Sequence, residues 1–460
     1  MSTTLLSHHL SAVLGFGLAL LLYAHLLLQK RPPASTWAWM IIFLFAPYIG
    51  IPVYLIFGGR KIRWAMQAKG TLYSEQASSS RHDPYSVAER IIVACGAPEA
   101  SLGNRVKLLD SGVRAYNELC ELISGARESI DIATYILGND EVGQAITARL
   151  TEQARAGIKV RLLMDAMGCL TLPRRHLSEL RDAGGRTAFF MPFLHLPFRG
   201  YSNLRNHRKI AIADGSRAMA GGMNIASEYM GPTPLTDRWK DLVLSIEGPS
   251  VVDLAEIFAK DWRFATKDKS PTPRLSAVEK GGDSVVQIVA SGPDAAGDPL
   301  YDAYLTEIFR AEKRIWIVTP YFIPDSALAR GLSLAAKRGL DVRVLVPRVS
   351  NHGLADLARG PVLRELETAG ARVLGFRDGM VHAKATLIDG NIATVGSANL
   401  DMRSLFLNYE VGVFLYSRPD IDDLERWFHG LAAHCDEGTQ PVSHARDLWE
   451  SAALLVSPLL

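Results

Sequence analysis

Asn206-His-Arg-Lys-Ile-Ala-Ile-Ala-Asp214 and Val381-His-Ala-Lys-Ala-Thr-Leu-Ile-Asp389 are two writings of one pattern, 175 residues apart. In each, a histidine and a lysine stand two positions apart, an apolar run follows, and an aspartate before glycine closes it (Asp214-Gly215, Asp389-Gly390). Residues i and i+2 of a strand point to the same face, so His207 projects with Lys209 and His382 with Lys384. Asp-Gly is a turn dipeptide, which ends each strand. Seven residues beyond each aspartate come Gly221-Gly-Met-Asn224 and Gly396-Ser-Ala-Asn399, so the distance from histidine to asparagine is 17 in both copies. One His-x-Lys on a strand is weak evidence. Two copies with the same internal spacing are strong.

Working outward, other words repeat as well. Glu128-Ser-Ile-Asp-Ile-Ala-Thr-Tyr135 is echoed by Lys313-Arg-Ile-Trp-Ile-Val-Thr-Pro-Tyr321, and Ala154-Arg-Ala-Gly-Ile-Lys-Val-Arg-Leu-Leu163 by Ala336-Lys-Arg-Gly-Leu-Asp-Val-Arg-Val-Leu345. The first pair reads as buried strands. In the second, a helix ends at Gly157 or Gly339 and a strand follows at once, the C-cap logic of an αβ unit. The chain is therefore read as α/β, with two pseudo-symmetric α/β/α modules and mostly parallel sheets sharing one site. The modules span 100–265 and 284–460. Residues 266–283, rich in Lys, Pro, Ser and Gly, form a linker, and polar Ser74 to Ser86 separates the first module from what precedes it.

Composition narrows the function. With 48% hydrophobic and 21% charged residues among 460, the chain is neither disordered nor fibrous. A formal net charge of +2 leaves no global basic field for nucleic acid, which is excluded as a partner. Cys95, Cys120, Cys169 and Cys435 form no C-x2-C pair, so a cysteine-based zinc module is excluded and a disulfide framework is not expected.

Residues 1–70 read as a membrane anchor. Leu10 to Leu28 and Trp37 to Phe57 are uncharged runs of 19 and 21 residues, each the length of a spanning helix (about 10–28 and 37–57). Pro32-Pro33 joins them as a hairpin, and Pro47 and Pro52 would kink the second run or mark it as re-entrant. The connector carries Lys30 and Arg31, whereas Arg60, Lys61, Arg63 and Lys69 crowd the exit of the second run. The positive-inside rule then places the N-terminus and everything after residue 60 in the cytoplasm.

The paired motifs suit a phosphodiester. A neutral imidazole can attack phosphorus while a second, protonated one delivers a proton to the leaving alkoxide. Lys209, Lys384, Asn224 and Asn399 supply donors for the non-bridging oxygens, where transition-state charge gathers. The lysines provide positive charge, so no metal and no cofactor is called for. A carboxylate behind each histidine would fix its tautomer, and Asp241 and Glu410, each opening an apolar strand in its half, are the candidates.

These motifs resemble the phospholipase D superfamily, and the words around them resemble its bacterial cardiolipin synthases. The words are Arg205-Asn-His-Arg-Lys209, Gly221-Gly-Met-Asn224, Thr319-Pro-Tyr-Phe322 with Pro324-Asp325, and Gly396-Ser-Ala-Asn-Leu-Asp-Met-Arg-Ser404. Trp37, Pro47, Gly50, Tyr54 and Phe57-Gly58 are similar to that family's membrane region, and the likeness runs from about Arg31 to Ser457-Pro-Leu-Leu460. The resemblance implies transfer of a phosphatidyl group, through a phosphohistidine, between phosphatidylglycerol molecules, giving cardiolipin and glycerol at a bacterial inner membrane. It implies His207 as nucleophile and His382 as acid, in exchangeable roles, with Lys209, Lys384, Asn224 and Asn399 on the phosphate. Asp214 and Asp389, the last members of each catalytic motif, would brace it or serve as plain turn residues, and Asp241 and Glu410 would orient the histidines. Lys240 stands where such enzymes often carry Arg, and Tyr409 where Phe is common.

The alternative keeps the same site with water as acceptor, giving a membrane-bound phospholipase D or another phosphodiesterase. A lipid-binding scaffold without turnover would be expected to carry degenerate motifs, and both copies here are intact. Arg205, Arg208 and Arg403 read equally as lipid-phosphate contacts or as surface ion pairs. His352 and the other histidines have no counterpart at matching spacing, and Met191 to Phe198 reads as a lipid-facing loop or a core segment.

Overall fold

The computed structural model describes residues 17, 20–28, 33–57, 69–73, 83–191, 204–268 and 280–455. Most of the expected linker, most of Ser74 to Ser86, all of Met191 to Phe198 except Met191, the basic residues 60–63 and the terminal Ser457 to Leu460 lie outside them.

The first half runs β1 (Ser101–Leu109), β2 (Ser129–Thr134), β3 (Lys159–Asp165), β4 (Arg186–Phe190), β5 (Ile210–Ala213), β6 (Arg217–Gly221) and β7 (Val243–Glu247). The second half runs β8 (Ser284–Ser291), β9 (Arg314–Val318), β10 (Phe322–Ile323), β11 (Asp341–Pro347), β12 (Arg372–Phe376) and β13 (Ala385–Ile388). It ends with β14 (Ile392–Gly396), β15 (Leu400–Asp401), β16 (Glu410–Leu415) and β17 (Cys435–Glu437). Fifteen of these make one sheet, ordered β17-β12-β11-β9-β13-β14-β16-β8-β1-β7-β6-β5-β2-β3-β4. Read outward from the β8–β1 junction, the two halves have the same strand order, and only β17 is extra. The antiparallel pairing Ser101↔Val286 and Asn104↔Ser284 makes them one continuous body.

The expectation of mostly parallel sheets is corrected. Parallel pairing in this sheet is limited to β2–β3, β3–β4, β9–β11 and β11–β12. The reason is local. The turns at Asp214-Gly215 and Asp389-Gly390 send the chain straight back from β5 into β6 and from β13 into β14, so these neighbours must be antiparallel.

Helices cover the sheet because their apolar stripes need burial. Helices Gly112–Ser124 and Glu141–Arg155 set Leu119, Leu122, Ile146 and Leu150 against Ile130, Ile132 and Leu162 of the first half. Helix Ser326–Lys337 sets Leu328 and Leu332 against Ile315, Ile317 and Val344 of the second. Each such side chain, fully buried, is worth ~1.5–3 kcal/mol before entropic costs. Gly157 (φ +91°) and Gly339 (φ +87°) take the left-handed conformation expected where a helix hands over to a strand. Asp325, at the word Pro324-Asp325, caps its helix by accepting from the amides of Ala327 and Leu328.

The N-terminal unit is separate. Its second apolar run is not one helix but two, Pro33–Phe45 and Pro47–Phe57. Proline lacks an amide hydrogen and its ring clashes with the preceding turn, so the helix breaks at Pro47. The second piece folds back along the first. The Tyr54 ring lies 5.0 Å from Trp39 and 5.1 Å from Phe43, and a Cβ on Gly50 would fall 2.3 Å from Ile42 Cγ2. The stretch of residues 20–28 joins them through Leu26, buried against Phe43 and Tyr54. Among the described residues no helix is long and apolar enough to cross a membrane. Of Leu10 to Leu28, residues 10–16, 18 and 19 lie outside the description.

Asp214 and Asp389 are built into the frame. Both sit at positive φ (+53° and +57°). Asp214 accepts from the amides of Arg127, Glu128 and Ser129, and Asp389 from those of Glu312, Lys313 and Arg314. Burial tends to raise the Asp214 carboxyl, but these amides outweigh it and hold it below its ordinary pKa. Replacing Asp214 with Ala is expected to cost about 2–3 kcal/mol, read as a shift in the urea midpoint. Because the carboxyl is depressed in the folded state, its contribution is intact above pH ~4 and fades as pH falls further. In Asp214→Ala that part of the acid dependence is expected to disappear.

Candidate active site

His207 and His382 line one cavity of about 280 Å³, together with Asn224 and Asn399. Each precedes a short strand, β5 or β13, whose far end is the Asp-Gly turn. Seven residues at ~3.3 Å each put Asp214 and Asp389 about 20 Å from the histidines. Asp214 and Asp389 therefore brace the loops before β2 and β9 through backbone amides, and neither lines the cavity.

What holds the histidines crosses between the halves. The backbone of His207 donates to Tyr409 O at 2.9 Å, and Tyr409 donates to Arg205 O at 2.9 Å. In the mirrored arrangement, His382 donates to Lys240 O at 2.7 Å and Lys240 to Met380 O at 2.8 Å. Each bridge delivers the next residue of the partner segment to the imidazole. Both Glu410 oxygens lie 3.0 Å from His207 Nδ1, and Asp241 Oδ2 lies 2.7 Å from His382 Nδ1. Asp241 and Glu410 thus serve the histidine of the other half.

The tautomers follow. Ser397 O, an acceptor only, lies 3.1 Å from His207 Nδ1 beside the carboxylate, so Nδ1 carries the hydrogen and Nε2 presents a lone pair. At His382 the Asp241 carboxylate and the Lys384 ammonium both stand 2.7 Å from Nδ1. Burial tends to raise Asp241, but Lys384 and His382 outweigh it and keep the carboxyl below its ordinary pKa.

The two sites differ in their lysines. Lys384 Nζ stands 2.7 Å from His382 Nδ1 and 3.1 Å from Nε2, and also donates to His382 O. Lys209 Nζ donates to His207 O at 2.8 Å and leaves the His207 ring uncovered. Burial, followed by repulsion from Lys384, lowers His382 to about 3. Burial lowers His207 also, with Glu410 opposing and both lysines assisting. Burial brings Lys384 down to about 8 and Lys209 well below the ordinary lysine value. Burial thus favours neutral imidazoles beside weakened ammonium groups.

Small residues make the approaches possible. A Cβ on Gly222 would fall 2.2 Å from Asp241 Oδ1, so glycine alone leaves room for that carboxylate. In the second half the same place is Ser397, whose hydroxyl donates to Glu410. Asn224 Oδ1 accepts from Ile136 N at 3.1 Å. The rings of Tyr135 (5.0 Å from His207) and of Tyr229 and Trp239 (5.1 and 5.4 Å from His382) wall the imidazoles.

Several residues were misread or missed from sequence. Arg208 is neither a lipid contact nor a surface residue, being fully buried and paired with Asp261 and Asp294. Arg205 donates to Met191 O at 3.0 Å, while Arg403 lines the cavity. His352, taken as ordinary, also lines it. Asn408, unnoticed before, donates to Glu410 at 3.3 Å. Its signal was only adjacency to Glu410. The Lys240 side chain faces a different concavity of about 890 Å³, between β1 and helix Arg418–Ala432, which contains neither histidine. Among the described residues no cluster could hold a metal ion.

Comparison with known proteins identifies the family. The family model described as "Cardiolipin synthase, PLD-like domain" matches residues 119–262 and 304–432, and "Phospholipase_D-nuclease N-terminal" matches 17–59. A cardiolipin synthase of Geobacillus kaustophilus is 33% identical over 455 residues, covering 94% of this chain and 90% of that protein. Cardiolipin synthase 1 of Bacillus cereus is 34% identical over 466 residues, with the same coverage. The crystal structure of a Haemophilus influenzae phosphatidylserine synthase superposes with a TM-score of 0.62 at 17% identity, covering 82% of this chain and all of that one, which shows a shared fold. Matched across both halves by sequence, this chain belongs to the cardiolipin synthase family of phospholipase D-like proteins.

Proposed function

We propose that the protein makes cardiolipin, transferring a phosphatidyl group from one phosphatidylglycerol to the headgroup hydroxyl of another. The carrying observation is the crossed pair of carboxylate-held imidazoles on one cavity. His207 is the better nucleophile, because its own lysine is turned to a backbone carbonyl whereas Lys384 Nζ stands 2.7 and 3.1 Å from the two ring nitrogens of His382. His207 Nε2 attacks phosphorus, the bond to the leaving glycerol oxygen breaks, and His382 gives that oxygen a proton.

The acid must be charged at that moment, and burial favours its neutral form. The anionic phosphodiester offsets the repulsion of Lys384 and Lys209, which raises the imidazolium, and the proton is one hydrogen bond away on Lys384. In the second step the acceptor hydroxyl attacks the phosphohistidine, His382 takes its proton, and His207 leaves. Lys209, Lys384, Asn224 and Asn399 hold the charge on the non-bridging oxygens.

Anionic phospholipids in a bacterial inner membrane would be both substrate and surroundings. The exit of the second apolar run carries Arg60, Lys61 and Arg63, against Lys30 and Arg31 in the connector. The positive-inside rule makes that side, and the catalytic body, cytoplasmic.

Three measurements test this reading. With labelled phosphatidylglycerol in vesicles, cardiolipin and glycerol are expected in equal amounts, and His207→Ala or His382→Ala is expected to lose ~10³-fold or more of the turnover. Phosphatidic acid as main product would make the protein a hydrolase, and near-normal turnover in either variant would refute the two-histidine mechanism. In the pH profile of kcat/KM, activity is expected to fall above pH about 8, as Lys384 loses its proton. Lys384→Arg should carry that limb to higher pH, and an unmoved limb would remove Lys384 from the role. A single cysteine at position 60 is expected to react with impermeant maleimide only after the cytoplasmic face is opened. Labelling from the outer face would overturn the cytoplasmic placement.

A further inference from the structure

Lys69 belongs by sequence to the basic group following the anchor, where a solvated charge is expected. It is instead buried, its side chain 1% exposed. Its ammonium pairs with Asp261 and lies 2.7 Å from Asp294 Oδ2. Arg208 completes the cluster, 2.8 Å from Asp261 and 3.2 Å from Asp294. Two cations thus face two carboxylates, none of them more than 1% exposed at its side chain.

Such a cluster is a costly way to stabilise a fold, since removing each ion from water costs several kcal/mol that pairing only partly returns. Its connections show what it holds. Arg208 stands between His207 and Lys209 in the chain, and its Nε donates to Glu410 O at 3.0 Å. Asn206, on the other side of His207, donates to Asp261 Oδ2 at 2.9 Å. Lys69 Nζ also lies 4.2 Å from the centre of the Tyr409 ring, and Tyr409 O receives the His207 amide. Its own segment is tied down by Leu72 N donating to Asp294 O at 2.7 Å and Ala290 N donating to Tyr73 Oη at 2.7 Å. Arg208, Asn206 and Tyr409 thus connect this cluster to His207 and to its carboxylate.

We infer that Lys69 is a positioning residue for His207, its charge neutralising the buried cluster through which Arg208 and Asn206 fix the imidazole against Glu410. This rests on His207 being a reacting group. Without Lys69 the cluster carries one net negative charge, Arg208 is drawn toward both carboxylates, and its hold on Glu410 weakens. The same uncompensated charge favours the imidazolium at His207, which cannot attack. The other groups facing His207 stay as they are: Glu410 beside it, Lys209 on its own strand, Lys384 and His382 from the second half, Tyr135 after β2, and Arg205 and Arg403 on the cavity wall.

The test uses the full chain with phosphatidylglycerol vesicles and three variants: Lys69→Met, Asp294→Asn and the two combined. Lys69→Met is expected to lose at least ~10-fold in kcat with KM changed less than ~2-fold, and its acidic limb of kcat/KM should move up by about one pH unit. Asp294→Asn carries the opposite charge error, so its acidic limb should move down. The double variant is neutral again and is expected to recover most of the lost kcat and the original limb. A cluster that merely stabilised the fold would lower activity without moving the limb, and the second substitution would deepen the loss. Either result overturns the inference, as does normal kcat in Lys69→Met. If Lys69→Met does not accumulate as folded protein, the limb of Asp294→Asn decides: unmoved or moved upward, the inference fails. The wild type's product, cardiolipin or phosphatidic acid, tests the proposed function separately, since these comparisons hold for either acceptor.

Discussion

Each imidazole of this protein is held by a carboxylate that the other half of the chain supplies. The two backbone bridges, His207 to Tyr409 and His382 to Lys240, bring Glu410 and Asp241 within 3.0 and 2.7 Å of the ring nitrogens. Neither half contains a complete acid–base device. A duplicated fold thereby acquires one site rather than two, and the continuous sheet across β8 and β1 holds its parts in register. Hydrogen bonds from buried imidazole to buried carboxylate are strong because water cannot compete for either partner.

The pseudo-symmetry is imperfect where chemistry needs it to be. One carboxylate is an aspartate that fits only because residue 222 lacks a side chain, and the other is a glutamate braced by the Ser397 hydroxyl and by Asn408. One lysine stands against the ring of its histidine and the other does not. These differences assign unequal roles to groups that the repeat makes formally alike. They also let burial act differently on the two histidines, because the nearer ammonium adds its repulsion to the cost of desolvation.

Much of this was legible beforehand. The repeat, the apolar strands and the glycines at 157 and 339 followed from pattern, because side-chain period and left-handed backbone are local properties. The equal spacing from histidine to asparagine identified the residues that line the cavity. Other features were illegible for a common reason. Asp214 and Asp389 are as much a part of the repeated word as the histidines, but spacing alone does not say which end of a short strand faces a cavity. The direction of strand pairing was misjudged because the Asp-Gly turns were read as strand ends rather than as hairpins.

Sequence alone determined that there are two copies of one chemical motif, that each sets histidine two residues from lysine, and that the N-terminal stretch is apolar. Those are matters of residue type and period. Tertiary structure alone decided which carboxylate serves which histidine, that Lys69 is buried beneath His207 rather than solvated, and that the second apolar run doubles back at Pro47. Each of these depends on groups distant in the chain meeting in space. Such meetings are selected by the packing of a whole sheet or helix cluster, and no short stretch of residues carries that information.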